Sequence, residues 1–143
     1  MDKRLIDLTV LIAYSFEGDP NHKNAESFFQ KVESEGMQVS IMSTMPMEAE
    51  AIWMARKIDV DLRSWLQFIE DVLENPLLQK IPLTPELFAE HTKQYRLFGG
   101  KYTYFDSFHV AAARILKQKL VTTDKQILGD ADIPSEDLKN YAQ

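Results

Sequence analysis

Cysteine is absent from the 143 residues of the chain. Its absence excludes disulfide bonds, cysteine nucleophiles and zinc sites built from thiolates, because each of these needs a thiol sulfur. It favours a reducing compartment only weakly. Any metal ion that the chain binds must therefore be held by oxygen or imidazole ligands.

Long apolar runs are also absent. No segment approaches the roughly 20 consecutive apolar residues that a membrane-spanning helix needs. The first residues run into the acidic Asp7, and they lack the longer apolar stretch and the small-residue cleavage site of a secretory signal. We therefore expect a cytoplasmic protein that does not interact with a membrane.

An excess of positive charge is missing as well. With 16 Lys and Arg against 22 Asp and Glu, the formal net charge is −6. This balance argues against binding of nucleic acid through a broad basic surface. The negative net charge is compatible with a local cluster of carboxylates that chelates cations. Such a cluster lowers the net charge whatever the charge of the remaining surface.

No internal repeat, low-complexity tract or long linker interrupts the sequence, so residues 1–143 are predicted to form one domain. A chain of this length buries roughly two-thirds of the surface that its unfolded form exposes, which allows a sizeable core. Short apolar runs alternate with amphipathic segments along the chain. This alternation predicts an α/β fold with a central parallel sheet of four to five strands and helices on both faces.

The elements follow from hydrophobic periodicity and capping residues. Strands are predicted at residues 5–6, 38–42, 78–83 and 119–122. Helices are predicted at residues 8–14, 20–35, 46–55, 85–96 and 106–117, with one more between 59 and 75. In the second helix Asp19 is expected to be the cap and Pro20 the first residue, and Gly36 is expected to end it.

The helix between residues 59 and 75 is expected to begin at Asp59 or Asp61. Its apolar residues at helical spacing are Leu62, Leu66, Ile69 and Leu73. The same helix holds Trp65 and Phe68, which makes it a candidate for a binding groove or an interface between subunits. Ordinary core packing explains these aromatic residues equally well.

Acidic residues lie where predicted strands end. Asp7 follows the first strand, Glu48 lies in the first helical turn after the second, and Asp124 follows the last. The carboxyl ends of parallel strands share one edge, where ligand sites form. Asp106 opens a helix and reaches the same edge if that helix runs antiparallel to the strands. Two carboxylates at about 4 Å repel by about 4 kcal/mol at an effective dielectric of about 20, and a hard divalent cation relieves that repulsion.

Each acid also has a simpler interpretation. Glu48 and Asp106 can interact with the dipole of the helix in whose first turn they lie. Asp124 can form a turn, and Asp7 can simply end a strand. The prediction of a metal site therefore depends on the coincidence of all four residues.

Several segments together resemble the PIN-domain family and, more narrowly, the VapC-type toxin ribonucleases of toxin–antitoxin pairs. The most specific match is Tyr-Phe-Asp-Ser-Phe-His-Val-Ala-Ala-Ala at residues 104–113, followed by Leu-Val-Thr-Thr-Asp at 120–124. Residues 6–12 resemble the first strand of the family with its acid, and residues 43–56 resemble the element that carries the second acid. The resemblance extends from about residue 5 to residue 128.

The resemblance implies an endoribonuclease that hydrolyses RNA phosphodiester bonds with water activated on one or two Mg²⁺ or Mn²⁺ ions. It implies that the catalytic and metal-binding residues are Asp7, Glu48, Asp106 and Asp124. Thr9 and Thr122 are expected to orient these carboxylates or to hold water beside them. The implied partners are an RNA substrate, a second copy of the chain in a homodimer, and a small antitoxin.

The sequence departs from the family pattern after the first acid. The family usually has Thr or Ser directly after this Asp and often Asn at the next position, whereas this chain has Leu8 and Thr9. Thr9 keeps one hydroxyl for orienting the carboxylate. The second acid is open to two assignments, because Glu48 and Glu50 lie on one helix about 200° apart around its axis. We favour Glu48, which is nearer the start of the helix.

The histidines and Ser107 are interpreted as structural. His109 lies three positions after Asp106, on the same helical face, and is expected to be packed and hydrogen-bonded rather than a metal ligand. His22 and His91 are expected at the surface. Ser107 has no evident general base nearby, which argues against a serine nucleophile.

Two other functions remain open from the sequence. One is a PIN-like binding protein with weak or absent cleavage, which acts through docking of an antitoxin or through oligomerisation. The other is a phosphotransfer enzyme with Asp7 as the nucleophile, since residues 7–10 faintly resemble an acid-first phosphatase loop. Metal titration separates the first from a nuclease, and an acyl phosphate would identify the second.

Overall fold

The computed structural model describes residues 2–97 and 100–142. A parallel sheet in the order β3-β2-β1-β4-β5 forms the centre of the fold. Its strands are β1 (Lys3–Ile6), β2 (Gln38–Met42), β3 (Leu78–Ile81), β4 (Lys119–Thr122) and β5 (Ser135–Asp137). The predicted α/β class and the parallel sheet are confirmed.

Helices connect the strands and cover the sheet. They are α1 (Leu8–Ser15), α2 (His22–Glu35), α3 (Met45–Met54), α4 (Leu62–Glu74), α5 (Pro85–Thr92), α6 (Tyr104–Leu116) and α7 (Lys125–Leu128). A π-helical turn (Lys93–Leu97) continues α5, and a 3₁₀ turn (Leu138–Tyr141) follows β5. Within the described ranges, none of the helices combines the length and hydropathy that crossing a bilayer requires.

The two faces of the sheet carry separate cores, because side chains alternate along a strand. Ile6 of β1 packs in one cluster with buried side chains of α1, α2, α3 and α4. Its neighbour Leu5 packs in the other cluster with buried side chains of α5, α6 and α7. The sheet is thus covered on both sides by helices.

The structure corrects the predicted start of α2. The helix begins at His22 after Asn21, not at Pro20 after Asp19. The carboxylate of Asp19 instead accepts a hydrogen bond from the Asn21 N–H. This bond forms an Asx-turn between the two residues, ahead of the helix. Gly36 ends the helix as predicted, with a φ of 65° that favours glycine.

The buried face of α4 differs from the predicted one. Asp61 caps the helix through the Ser64 N–H, which decides between the two candidate starts. The side chains that enter the core are Trp65, Phe68 and Val72. Of the predicted stripe, Leu62, Leu66 and Leu73 are exposed, and Ile69 packs partly against this core. Both sets have helical spacing, and the set with the larger aromatic side chains is the one that is buried.

The fifth strand lies at the edge of the sheet beyond β4, which the sequence indicated as the last strand. Ser135–Asp137 is only three residues long and wholly polar, so it lacks the apolar run that marks a strand. It pairs with β4 in parallel, with Val121 opposite Glu136. Arg4 of β1 also donates from its Nε to the carboxylate of Glu136 in β5. This ion pair connects the edge strand to β1.

Candidate functional site

The candidate site lies where β1, β2 and β4 end. These three strands are neighbours, and their register places Leu5 opposite both Ser40 and Leu120. Asp7 directly follows β1, and Glu48 lies in the first turn of α3, which follows β2. The carboxyl ends of the strands therefore bring both acids to one edge, as the sequence predicted.

Asp7 is buried, with 4% of its surface exposed, and hydrogen bonds hold both oxygens of its carboxylate. Its Oδ1 accepts from the Thr9 hydroxyl at 2.5 Å and from the Val10 N–H at 3.3 Å, so Asp7 also caps α1. Its Oδ2 accepts from the Thr122 hydroxyl at 2.5 Å. Thr9 and Thr122, which the sequence suggested as orienting residues, both contact this one aspartate.

Asp124 is connected to Asp7 through Thr122. Its backbone N–H donates to the Thr122 Oγ1 at 3.1 Å, and the same hydroxyl donates to Asp7. The Asp124 carboxylate accepts from the backbone N–H groups of Gln126 and Ile127, which caps α7. Asp124 is not among the main groups that shift the pKa of Asp7 or of Asp106.

Glu48 forms a buried ion pair with His109 of α6. Its Oε1 lies 2.8 Å from the His109 Nε2, and the two residues are 8% and 2% exposed. Burial alone would lower the pKa of His109, but the charge of Glu48, their hydrogen bond and the charges of Asp7 and Asp106 raise it to about 9. A protonated imidazole therefore lies among the carboxylates.

Asp106 completes a group of three acids that affect one another. It lies in the first turn of α6, which Thr103 caps by accepting the Asp106 N–H. Burial raises the pKa of Asp106, and the charges of Glu48 and Asp7 raise it further, against the lowering effect of the Thr103 hydrogen bond and His109. Burial and then the charge of Glu48 likewise raise the pKa of Asp7, while His109, Thr122 and Thr9 lower it.

The two glutamates of α3 differ in their surroundings. Glu48 is buried among the other acids, whereas Glu50 is exposed on the opposite side of α3. The 200° separation that left two candidates in the sequence thus directs one side chain to the site and the other to solvent.

The donor set suits a hard divalent cation, although it is not assembled around one. Asp7, Glu48 and Asp106 offer carboxylate oxygens, which are the ligands that Mg²⁺ and Mn²⁺ prefer. The hydroxyl of Thr44, whose carbonyl accepts the Glu48 N–H, is buried without a described partner. Over residues 2–97 and 100–142, no three Asp, Glu or His side chains are arranged as a ready-made metal site.

The histidines differ in part from their predicted environments. His109 is packed and hydrogen-bonded as expected, but its partner is a site carboxylate; its spacing from Asp106 indicated only that it lies near Asp106. His91 is buried rather than at the surface, where its Nε2 bonds to the Tyr104 carbonyl at 2.9 Å and its ring stacks on Phe108. His22 is half-buried, with its Nδ1 2.7 Å from the Ala13 carbonyl.

Ser107 is buried, and its hydroxyl donates to the Thr103 carbonyl at 2.7 Å. This bond lies within the first turn of α6 and uses the hydroxyl proton. The environment of Ser107 is therefore that of a structural serine.

Comparison with known proteins identifies the fold. The family model of the PIN domain matches residues 4–132. The structure of VapBC2 from Rickettsia felis bound to a DNA fragment from their promoter matches with a TM-score of 0.66 at 12% identity, over 94% of this chain and 98% of that one. FitAcB from Neisseria gonorrhoeae matches with a TM-score of 0.66 at 15% identity, over 94% and 97%.

A toxin–antitoxin complex from Klebsiella pneumoniae matches with a TM-score of 0.61 at 18% identity, over 90% of this chain and 93% of that one. Among proteins of curated function, the comparison finds no significant match. The structural likenesses support the predicted three-layer fold, and the family model covers most of the chain, including Asp7, Glu48, Asp106 and Asp124. The chain belongs to the PIN-domain family.

Proposed function

We propose that the protein is a divalent-metal-dependent endoribonuclease and the toxin of a toxin–antitoxin pair. The observation that carries the proposal is the convergence of Asp7, Glu48 and Asp106 at the edge where the strands end, in a chain of the PIN-domain family. Burial and the charge of Glu48 raise the pKa values of Asp7 and Asp106, and acids with such raised pKa values are candidates for function rather than for stability. RNA is the proposed substrate.

The mechanism assigns Asp7, Glu48 and Asp106 as the residues that hold Mg²⁺ or Mn²⁺, with Asp124 completing the set directly or through water. A divalent ion bound there supplies a Lewis acid that activates water and neutralises charge on the phosphodiester. Thr9 and Thr122 fix the Asp7 carboxylate by donating to both of its oxygens. They keep the carboxylate of the first acid oriented before the ion arrives.

Among the residues that the structure describes, the Asp124 carboxylate, unlike that of Asp7, accepts hydrogen bonds through only one of its oxygens. It caps α7 through two backbone N–H groups, both of which use Oδ1. Its other oxygen is the one we assign to the ion or to a bridging water. The hydrogen bond from its backbone N–H to the Thr122 hydroxyl links Asp124 to the residue that donates to Asp7.

The proposed partners are a small antitoxin and a second copy of the chain. The similar structures from Rickettsia felis and Klebsiella pneumoniae are a VapBC2 assembly and a toxin–antitoxin complex. The leucines that α4 leaves exposed supply apolar surface of the kind that protein interfaces use.

A catalytically weak binding protein is the second candidate, because the acids are not assembled as a ready-made metal site among the described residues. Aspartyl-phosphate chemistry has less support. Both oxygens of Asp7 accept hydrogen bonds from hydroxyls, which reduces the nucleophilicity of its carboxylate.

Cleavage of defined RNAs with Mn²⁺, with Mg²⁺ and with chelator tests the proposal. Wild-type protein should cleave with either ion and not with chelator. Asp7→Asn should reduce cleavage by at least about a hundredfold, the scale expected when electrostatic stabilisation of the reaction is removed. Its melting behaviour should remain close to that of the wild type.

The matched control is Asp59→Asn, which makes the same chemical change at an exposed position away from the site. It should cleave like the wild type. If the wild type binds no Mn²⁺ and cleaves no RNA, the binding-protein function replaces the nuclease. Cleavage that survives in chelator would reject the metal-dependent mechanism.

A further inference from the structure

His109 is a buried side chain that the proposed mechanism does not use. It projects from α6 one turn after Asp106, and its Nε2 lies 2.8 Å from the Oε1 of Glu48. The side chains are 1% and 10% exposed. Because an ionised carboxylate only accepts hydrogen bonds, the ring must donate, and the proton is on Nε2.

We propose that His109 is a positioning residue for Glu48: its Nε2–H holds Oε1, so that Oε2 stays available to a divalent ion shared with Asp7 and Asp106. This inference rests on the proposed function. It assigns a role to a histidine that does not itself contact the ion or the RNA.

Glu48 needs such a partner more than the other acids do. A glutamate has three side-chain torsions, and ordering it costs rotamer entropy that a single fixed hydrogen bond offsets. Asp7 has a shorter side chain, and two hydroxyls and one backbone N–H hold it. For Glu48, His109 is the corresponding donor.

The arrangement of the helices makes the contact specific. Glu48 and His109 are 61 residues apart and lie on α3 and α6, which belong to different crossovers of the sheet. His109 and Asp106 are three residues apart on one helix, so they share a face. The ring that holds Glu48 is therefore fixed to the same rigid element that carries the third acid.

The contact does not depend on the charge of the ring. A neutral imidazole with its proton on Nε2 donates to Oε1 as a protonated one does. The hydrogen bond can thus persist when a cation binds nearby. Removal of a partner that orients a ligand typically costs about 10–100-fold in metal affinity.

Binding of Mn²⁺ to the full-length protein, measured from the electron paramagnetic resonance signal of free Mn²⁺, tests this role. His109→Leu removes the donor at similar volume and should weaken Mn²⁺ binding by about 10–100-fold. His109→Gln, whose amide can donate to Glu48, should recover most of the affinity. In a Glu48→Gln background, His109→Leu should have little further effect, because residues that act through one another are not additive.

The outcomes separate this inference from the proposed function. Absence of Mn²⁺ binding by the wild type overturns the proposed function and this role together. If the wild type binds Mn²⁺ and His109→Leu binds it equally well, the positioning role alone is rejected. The same follows if His109→Leu weakens binding equally in the presence and absence of Glu48.

The wild type allows a second measurement that does not depend on how His109→Leu folds. Nitrogen-15 spectra of the histidine rings can be recorded during titration with Mg²⁺. We expect the His109 Nε2 to keep its proton while its chemical shift changes as the site fills. A Nε2 that loses its proton to direct coordination, or that does not respond at saturation, contradicts the inference.

Discussion

Individual acids at the site are stabilised by donors of different kinds. Asp7 accepts from two threonine hydroxyls and a backbone N–H, whereas Glu48 accepts from an imidazole. Asp106 is only half-buried at the start of α6. Each residue therefore reaches the common edge with a different balance between desolvation and hydrogen bonding, which is what shifts carboxyl pKa values.

At this scale the clearest contrast is between Glu48 and Glu50, which are two residues apart on α3. Glu48→Gln removes a buried charge beside Asp7 and Asp106, and we expect it to weaken Mn²⁺ binding by more than about tenfold. Glu50→Gln makes the same change on the exposed side of the helix and should leave the affinity unchanged. Calorimetric titration of both variants with Mn²⁺ checks this. Equal effects would mean that burial does not identify the second acid.

Among the elements, α4 shows the clearest difference between prediction and structure, which concerns the face of the helix that is buried. Trp65 is 1% exposed, and its Nε1 donates to the Ala49 carbonyl at 2.9 Å, which ties α4 to α3. Leu66, the next residue, is 54% exposed. A helix with two stripes of large apolar residues can bury either stripe, and packing with neighbouring helices decides which.

Substitution of these two neighbours should therefore have unequal effects on stability. Trp65→Ala should lower the free energy of unfolding by about 3–5 kcal/mol, because it leaves a large cavity and removes the hydrogen bond to the Ala49 carbonyl. Leu66→Ala should change it by no more than about 0.5 kcal/mol. Urea unfolding of both variants measures the difference. Comparable losses would show that the leucine stripe also contributes to the core.

The strands and helices that could be predicted from the sequence are those marked by a local hydrophobic pattern. The exits of β1, β2 and β4 were predictable because short apolar runs mark the strands, and parallel strands align their carboxyl ends. β5 was not predictable as a separate strand, because its three polar residues have no hydrophobic pattern. The contact between His109 and Glu48 was not predictable either, since it joins two helices whose mutual orientation depends on the whole sheet.

The molecule as a whole holds several acids and one protonated histidine in a small volume. The pKa of His109 is about 9, above its ordinary 6.5, so its protonation stabilises the fold fully below about pH 6.5. This stabilisation is lost as the pH rises through about 9. The pKa values of Asp7 and Asp106 are also raised, so their ionisation likewise opposes folding as the pH rises. All three groups act in the same direction.

In chelator, the free energy of unfolding should therefore fall between about pH 6.5 and about pH 9, by roughly 3 kcal/mol if His109 dominates. His109→Gln does not titrate and should lose most of this slope. Added Mg²⁺ should restore stability, by about 2.7 kcal/mol at a hundred times its dissociation constant, and more effectively at the higher pH. Urea unfolding across this range measures both effects. A wild-type slope of the opposite sign would contradict the assigned protonation states.

The hydrogen bond from Thr122 to Asp7 connects residues that are 115 positions apart. While β4 is still inside the ribosome during synthesis, Asp7 lacks the Thr122 hydroxyl as a donor. Strand β1 then also lacks β4 as its neighbour. Contacts between such distant segments are slow to form, because closing the long loop between them costs entropy. Premature termination before Thr122 would therefore yield fragments in which Asp7 lacks this donor, so the proposed activity should appear only once translation is nearly finished.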